Sequence, residues 1–216
     1  MSTTPELLYF DIRGRAEPIR LLLEDIGIQY TNKQVNLKDW AAIRSTTPFH
    51  RMPVYTDGDI EIPESFAIMN YLGRKYDLLG KGMKSQVRCD VAVEAWRDYG
   101  NRVASVFGAL STSEAARKTF IDTEQLSLLS DIETFYLNKA SAALYWVGNA
   151  PTVVDYFAFH LIDGIASQFP RLLSQLGALK EFHEYFSERT NIKIYLASNR
   201  RPEALFYGPN GKVFPR

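Results

Sequence analysis

LLYFDIRGRAEPIRLLL, residues 7–23, is the stretch that decides the fold. It is apolar over residues 7–10, breaks at residues 13–15, and then returns to apolar positions at helical spacing. This pattern predicts a short buried strand, a loop, and a helix with one apolar face. Pro18 suits the first turn of that helix, because its missing N–H would have no intrahelical partner there. Backbone N–H groups point outward at such a helix start, so Tyr9 and the two loop arginines lie where a small anion could be held.

The sequence that follows, up to residue 76, alternates between strand and helix patterns. Period-two alternation and turn residues indicate strands, whereas apolar residues three and four apart indicate helices. The predicted order is β-α-β followed by β-β-α. Its elements are a strand at 7–10, a helix at 16–26, a strand at 28–37, a short irregular helix or loop at 38–46, strands at 52–55 and 60–62 joined by a turn at Asp57-Gly58, and a helix at 65–76.

From residue 77 onward, strand patterns almost vanish. Two glycines and several polar residues make 77–86 the predicted linker. Beyond it, Thr152-Val-Val-Asp155 has the form of a capping box, and the helix it opens is apolar almost all round, which predicts a buried centre. We therefore expect an α/β domain at 1–80 followed by an all-helical domain at 81–216. The predicted helices of the second domain are 87–110, 112–139, 153–168, 171–176 and 179–197.

Composition and charge narrow the class of protein. Apolar residues make up 46% of the chain, enough for a substantial core. Lys plus Arg equals Asp plus Glu at 25 each, so nothing points to nucleic acid or an anionic membrane surface as a partner. No apolar run approaches the ~20 residues of a membrane-spanning helix, and the N-terminus lacks a secretion signal, so we expect a cytoplasmic protein. One cysteine and three scattered histidines give no metal-ligand spacing, so no metal is expected.

Several ordered motifs carry a resemblance to a known family. They are YFDIRGRAEPIRLLLE at 9–24, MPVY at 52–55, ESFAIMNYL at 64–72, GNAPTVVDYFAFHLID at 148–163 and SNRRPEALF at 198–206. Together they resemble the cytosolic glutathione transferases of the tyrosine type, most closely the sigma class, with pi and mu next, over essentially the whole chain. The resemblance implies a thioredoxin-like first domain that binds glutathione and a helical-bundle second domain that supplies most of the electrophile pocket.

By this resemblance Tyr9 is the catalytic group, with its hydroxyl donating a hydrogen bond to the glutathione sulfur. Such donation favours the charged form of a thiol whose ordinary pKa is about 8.5. On the strand pattern alone, Tyr9 would be a core aromatic. In this family a basic residue at the position of Arg15 supports the thiolate. A solvated loop arginine is the alternative for Arg15, and Arg13 is the weaker candidate.

Met52-Pro53 resembles the motif in which the proline follows a cis bond and the Met52 backbone pairs with the cysteinyl residue of glutathione. A proline starting an edge strand is the alternative. By the same resemblance, Ser65 would cap the next helix and bind the γ-glutamyl carboxylate through its N–H, and Glu64 would pair with the γ-glutamyl ammonium. Glu64 departs from the glutamine of the sigma, mu and pi pattern. A capping serine after a surface glutamate is the alternative.

Trp40, Arg44 and Arg51 match positions that hold the glycyl carboxylate of glutathione, a group suited to an indole N–H and guanidinium forks. They could instead be a packing residue and two solvated arginines. Asp98 matches an acid that reaches the glutathione of a neighbouring subunit, which implies a homodimer, whereas a solvent-facing aspartate is the alternative. Phe49 matches an intersubunit key of the pi and mu classes, or is a buried loop aromatic.

The electrophile pocket is the least specified part of the resemblance. An apolar cleft with few polar groups suits a hydrophobic substrate. The aromatic C-terminal segment ALFYGPNGKVFPR either folds over the opening or packs outside it. Cys89 is expected to be a buried helix residue, because cysteine-type members carry their nucleophile near position 9. The candidate lining residues are Phe10, Tyr99, Val103, Phe206 and Tyr207.

Three functions fit such a chain. The favoured one is conjugation, in which glutathione is the co-substrate and its thiolate is held beside a hydrophobic electrophile. A glutathione-dependent isomerase or peroxide reductase would use the same first domain, and a ligand-binding relative would keep the fold without turnover. Tyr9, Arg15 and Glu64-Ser65 together argue against the last of these, since a protein without turnover need not retain the whole set.

Overall fold

The first part of the chain forms a four-stranded mixed sheet with helices. The computed structural model describes residues 4–108, 113–207 and 213–214. The strand order is β2-β1-β3-β4, in which β1 is parallel to β2 and antiparallel to β3. This confirms the predicted β-α-β and β-β-α order. The elements are β1 (Glu6–Phe10), α1 (Glu17–Asp25), β2 (Thr31–Val35), α2 (Trp40–Ile43), β3 (Val54–Asp57), β4 (Ile60–Pro63) and α3 (Ser65–Lys75).

Two local predictions need correction in this part, and a third agrees with the structure. The strand predicted at 28–37 is confined to Thr31–Val35, the residues that pair with β1. The hairpin turn lies one residue later than predicted, at Gly58 and Asp59, because Asp57 still pairs with Ile60. The segment from 37 to 50 is a series of short helical turns, as the irregular pattern indicated.

The second part of the chain is helical. Its central element is α7, whose residues are buried over most of their length, as its nearly all-apolar sequence predicted. Two short strands near the C-terminus were not predicted. The elements are α4 (Gly82–Phe107), α5 (Glu114–Thr119), α6 (Gln125–Leu137), α7 (Val153–Gln168), α8 (Pro170–Leu173), α9 (Gly177–Ser187), α10 (Thr190–Leu196), β5 (Phe206–Tyr207) and β6 (Val213–Phe214).

The helix boundaries differ from the sequence patterns in three places. Helix α4 already begins at Gly82, so the predicted linker 77–86 is too long. The helix predicted at 179–197 is two helices, because the chain turns at 188–189 between α9 and α10. A π-helical turn at Phe120–Glu124 interrupts the predicted helix 112–139. The predicted boundaries at 110 and 112 lie outside the described residues.

The capping box at the start of α7 is confirmed. The Thr152 amide and hydroxyl both donate to Asp155 Oδ2, at 2.7 and 2.8 Å, and the Trp146 amide donates to Asp155 Oδ1 at 3.0 Å. Burial raises the pKa of Asp155 to about 6, although these donors act in the opposite direction. One carboxylate therefore starts the central helix and also holds the loop before it.

A buried ionic cluster joins the two parts of the chain. We define it by Glu17 and Arg20 of α1, Arg13 of the preceding loop, Asp163 of α7, His183 of α9 and Arg201. The fully buried Glu17 carboxylate accepts from Arg201 Nε at 2.7 Å and lies 3.3 Å from Arg20 Nη1. Asp163 Oδ2 accepts from Arg201 Nη2 at 2.6 Å and from Arg13 Nη1 at 3.3 Å. His183 Nε2 lies 3.1 Å from the other Asp163 oxygen.

The cluster keeps both of its carboxylates ionised. Burial alone would raise the pKa of Glu17, but Arg201 and Arg20 outweigh it and hold that pKa below its usual range. Burial acts in the same way on Asp163, and there His183 and Arg201 lower the pKa. Removing one member of such a group leaves a charge in the interior without its partner, which is strongly destabilising.

We expect Arg201→Met to lower the free energy of unfolding by about 3–5 kcal/mol, because Glu17 and Asp163 both lose a guanidinium partner. Arg200→Met is the matched control. The exposed Arg200 pairs with Glu24 at 2.8 Å, so its loss should cost at most about 1 kcal/mol. Urea unfolding followed by circular dichroism measures both variants. Equal losses would show that the cluster is no more important than a surface ion pair.

A second prediction concerns acid stability and His160, which lies beside the cluster on α7. Burial lowers the pKa of His160 from 6.5 to about 4 in the folded protein. As the pH falls through this window the unfolded chain takes up a proton at this histidine that the folded protein does not, so the His160 contribution lowers stability by up to about 1.4 kcal/mol per pH unit. The raised pKa of Asp155 acts in the opposite direction, equally in the wild type and in the variants. His160→Phe should flatten this part of the curve of unfolding free energy against pH.

The exposed His50 supplies the control, since His50→Gln should leave the decline unchanged. Glu17 and Asp163 have lowered pKa values, so their contribution is lost at lower pH in the wild type and in both variants. Chemical unfolding at half-unit pH steps separates the contribution of His160 from that of the two carboxylates. The same decline in wild type and His160→Phe between pH 6.5 and about 4 would contradict the prediction.

Candidate active site

A cleft of about 570 Å³ lies where the two parts of the chain meet. Its walls come from the loop between β1 and α1, from the start of α3, from α4 and α7, and from residues 205–206. Most of this wall is apolar, which is typical of small-molecule sites. The residues predicted from the sequence that line it are Tyr9, Phe10, Arg15, Glu64, Ser65, Tyr99, Val103 and Phe206.

Tyr9 lies near the end of β1 with only 6% of its surface exposed. Its hydroxyl oxygen accepts the backbone N–H of Arg15 at 3.1 Å. The Arg20 guanidinium lies 5.8 Å from the centre of the Tyr9 ring. A hydroxyl that accepts a hydrogen bond is polarised and becomes a better donor itself. The loop thus fixes the position of the phenol and makes its hydroxyl a stronger hydrogen-bond donor.

Gly14 gives the Tyr9 hydroxyl its space. It has a φ of +41°, and a Cβ built on it would lie 2.7 Å from the Tyr9 hydroxyl oxygen. Any other residue would therefore strain the loop and displace the phenol. Sequence reasoning noted the break at this glycine but missed its contact with Tyr9, because the contact depends on how the loop folds back over the strand end.

The two loop arginines have different surroundings. Arg15 is exposed at the cleft, where its Nη2 donates to Asn101 Oδ1 of α4 at 3.2 Å. Arg13 is fully buried, and its Nε donates to the Pro202 carbonyl at 3.0 Å in addition to the Asp163 contact. The expectation that both loop arginines could hold an anion is wrong for Arg13, because Asp163 and main-chain carbonyls occupy its donors.

The Met52-Pro53 peptide bond is cis, which confirms the prediction from the motif. Leu8 pairs with Val54 in the antiparallel register of β1 and β3, so Met52 comes level with Phe10, beyond the end of the ladder. No main-chain hydrogen bond to Met52 is found among the described residues. The Met52 backbone therefore lies beside the strand end that carries Tyr9.

Glu64 and Ser65 line the cleft at the start of α3. Glu64 occupies the N-cap position with a φ of +68°, and Ser65 is the first helical residue. The prediction that Ser65 caps this helix is therefore wrong, and the side chain of the N-cap residue Glu64 makes no capping bond among the described residues. The Ser65 N–H still belongs to the first turn, where amides have no intrahelical acceptor and the helix dipole favours an anion.

The remaining predicted polar residues lie around the cleft rather than in its wall. The Trp40 ring is 5.6 Å from that of Phe10, and Arg51 Nη1 is 3.9 Å from Glu64 Oε1. Arg44 is exposed after α2, and Asp98 is exposed on α4. Trp40 and Arg51 thus contact cleft residues, whereas no contact links Arg44 or Asp98 to the cleft among the described residues.

An aromatic wall closes the far side of the cleft. Tyr99 is buried and its hydroxyl accepts from Gln125 Nε2 at 2.8 Å, and burial raises the pKa of this phenol. Phe206 lies 6.4 Å from Phe107, ring centre to ring centre. The side chain of Tyr207 lies outside the described part of the chain. The cleft residues that sequence reasoning missed include Ile12, Leu37, Phe107, His160 and Leu205.

Two predictions away from the cleft can also be compared with the structure. Cys89 is buried as expected, and burial raises the pKa of its thiol to about 11. Phe49 is 72% exposed, so the alternative that it is a buried loop aromatic is wrong. Within the described ranges, no helix combines the length and apolar character needed to cross a bilayer, and no three metal-ligating side chains are grouped.

Comparisons with known proteins agree on one family. The family model described as "Glutathione S-transferase, N-terminal domain" matches residues 5–74, and "Glutathione S-transferase, C-terminal domain" matches residues 98–199. The chain is 33% identical to "Glutathione S-transferase P" of Caenorhabditis elegans, over 89% of this chain and 92% of that protein. It is 30% identical to a glutathione S-transferase of Dirofilaria immitis, over 96% and 98% of the two chains.

Solved structures give the same result. The pi-class glutathione S-transferase of Onchocerca volvulus superposes with a TM-score of 0.85 at 28% identity, over 90% of this chain and 92% of that one. The sigma-class enzyme of Fasciola hepatica has a TM-score of 0.83 at 27% identity, over 94% and 99%. The likeness thus includes two of the three classes that the motifs indicated, pi and sigma. With both domain models matched along most of its length, the chain belongs to the glutathione S-transferase family of enzymes.

Proposed function

We propose that this protein conjugates the glutathione thiolate to hydrophobic electrophiles, with Tyr9 stabilising the thiolate. The observation that carries the proposal is the Tyr9 hydroxyl, which is held at the cleft by the Arg15 N–H at 3.1 Å and faces a mostly apolar wall. A fixed hydrogen-bond donor beside an apolar cavity is what this reaction needs, because the sulfur must be charged and the electrophile must lie close to it.

The chemistry assigned to Tyr9 does not require its ionisation. At neutral pH only a few per cent of a free thiol with a pKa of about 8.5 is thiolate. Donation from the Tyr9 hydroxyl lowers the thiol pKa, the thiol proton leaves to solvent, and the sulfur attacks the electrophilic carbon with its lone pair. The exposed Arg15 guanidinium is a nearby cation, and it also lowers the pKa of the thiol.

The polar ends of glutathione are assigned to the rim of the cleft. The γ-glutamyl carboxylate would accept from the Ser65 N–H at the start of α3, and Glu64 would pair with the γ-glutamyl ammonium. The cysteinyl main chain would pair with the Met52 backbone before Pro53, in the manner of an added strand. This assignment is supported by the position of Met52 beyond the ladder and of Ser65 in the cleft wall.

The glycyl carboxylate is assigned to Trp40, Arg44 and Arg51. Trp40 contacts Phe10 and Arg51 lies near Glu64, and both of these partners line the cleft. These contacts support the assignment of Trp40 and Arg51. Asp98 would reach the glutathione ammonium of a second subunit, so the proposal includes a homodimer. Residues 1–80 would then form the glutathione-binding domain and 81–216 the domain that supplies the electrophile pocket, in a cytoplasmic enzyme.

Tyr9→Phe tests the central step. In the wild type the pKa of the bound glutathione thiol should lie well below its free value of about 8.5, and in Tyr9→Phe it should return upward. Turnover should fall by roughly 10²-fold, as expected when one preorganised donor is removed, with glutathione affinity nearly unchanged. Ultraviolet titration of the thiolate measures the pKa. Binding of glutathione without a shifted pKa in the wild type would indicate a binding protein rather than a transferase.

Gly14→Ala tests the geometry around the Tyr9 hydroxyl. Both Gly14→Ala and the control Gly58→Ala place a side chain at positive φ, +41° and +65°, so both should lose about 1–2 kcal/mol of stability. Only Gly14→Ala adds a Cβ near Tyr9, since nothing lies within 4 Å of a Cβ at Gly58. We expect a raised bound-thiol pKa and lower turnover in Gly14→Ala alone. Equal turnover in the two variants would rule out this role for Gly14.

A further inference from the structure

His160 is a buried polar residue in the wall of the mostly apolar cleft. Only 8% of its surface is exposed, and the side chain lines the cleft from α7. The next residue, Leu161, packs 3.6 Å from a Cβ built on Gly100 of α4, and Leu205 packs 3.5 Å from one built on Gly164. The part of α7 that carries His160 therefore packs against both α4 and the C-terminal segment.

The hydrogen-bonding capacity of the His160 ring is not used within the protein. Its Nδ1 is buried without a partner, and no hydrogen bond among the described residues involves this ring. An unpaired buried polar atom costs the fold about 1–3 kcal/mol and is uncommon in native structures. An aliphatic residue would fill this position in the core of α7 without that penalty.

The charged residues near His160 do not explain its presence. Four charged residues act on it electrostatically from α1, α7, the loop between β1 and α1, and the C-terminal segment: Glu17, Asp163, Arg13 and Arg201. These four residues bind one another and main-chain carbonyls, and none of them is hydrogen-bonded to the imidazole. The ionic cluster is therefore complete without His160.

We propose that His160 hydrogen-bonds a hydroxyl or carbonyl oxygen of the second substrate, so that the cleft selects hydrophobic electrophiles that carry such an oxygen. The inference rests on the proposed function, because it assigns a specificity residue to the same cleft. A neutral imidazole offers one donor and one acceptor, and burial lowers the pKa of His160 to about 4, so the ring is neutral at pH 7. A site with a buried polar group discriminates against ligands that leave it unpaired.

Matched glutathione derivatives test the inference. S-butyl-, S-hexyl- and S-octylglutathione anchor at the glutathione site and place an alkyl tail in the cleft, and each has an analogue with a terminal hydroxyl. Calorimetric dissociation constants for each pair give the penalty or gain of the hydroxyl group. The proteins compared are the full-length wild type, His160→Leu, and the control Leu161→Met, which changes an apolar cleft residue beside His160.

At the tail length that reaches His160, the wild type and Leu161→Met should bind the hydroxyl analogue at least as tightly as its alkyl parent. His160→Leu should bind the same analogue about tenfold more weakly than the parent, because the hydroxyl is then buried without a partner. The same hydroxyl penalty in wild type and His160→Leu at every tail length would overturn the inference. Failure of the alkyl parents to bind the wild type would overturn the proposed function instead.

A measurement on the wild type alone remains if His160→Leu does not fold. The chain has three histidines, so the imidazole nitrogen signals of His160 can be separated from those of His50 and His183 in a nitrogen-15 spectrum. The hydroxyl analogue should shift the His160 nitrogens relative to the complex with its alkyl parent. Identical His160 signals in the two complexes at all tail lengths would overturn the inference.

Discussion

The pairing of Glu17 with Arg201 in the interior is the constraint on which the site depends. Their contact at 2.7 Å links the first turn of α1 to the C-terminal segment, and Arg201 extends it to Asp163 on α7. Buried charges are tolerated only when each has its partners. The fold therefore requires α1, α7 and the C-terminal segment to meet in one arrangement, and the cleft lies directly beside that meeting point.

Main-chain hydrogen bonds extend this constraint to Tyr9. The Arg13 and Gly14 amides donate to the Ala204 and Leu205 carbonyls at 2.8 and 3.0 Å, so the loop after β1 pairs with the segment that follows Arg201. The next amide in the loop, that of Arg15, donates to the Tyr9 hydroxyl. Three consecutive loop amides thus join the C-terminal segment to the phenol. A displacement of that segment would therefore also displace the Tyr9 hydroxyl.

The parts of the fold set by neighbouring residues could be predicted from the sequence. The first strand, loop and helix follow from local apolar spacing, and the capping box of α7 lies within four consecutive residues. Interactions across the chain could not be predicted. The sequence makes Arg13 a candidate anion ligand, but in the folded protein its side chain donates to Asp163, which lies 150 residues away in the chain. The predicted cap of α3 was wrong because Glu64 adopts a positive φ, which no residue pattern indicates.

Under the proposed function, the cleft must meet two demands that usually conflict. An apolar wall suits a hydrophobic substrate, whereas a thiolate needs polar support, and unpaired polar groups in an apolar wall destabilise the protein. The fold meets the two demands with different groups. The Tyr9 hydroxyl is held by the backbone N–H of Arg15, and a backbone donor adds no unpaired side chain to the apolar wall. Three residues of the wall nevertheless carry a buried polar atom without a partner among the described residues: Trp96 Nε1, Gln125 Oε1 and His160 Nδ1. For His160 we propose that a ligand in the cleft supplies the missing partner.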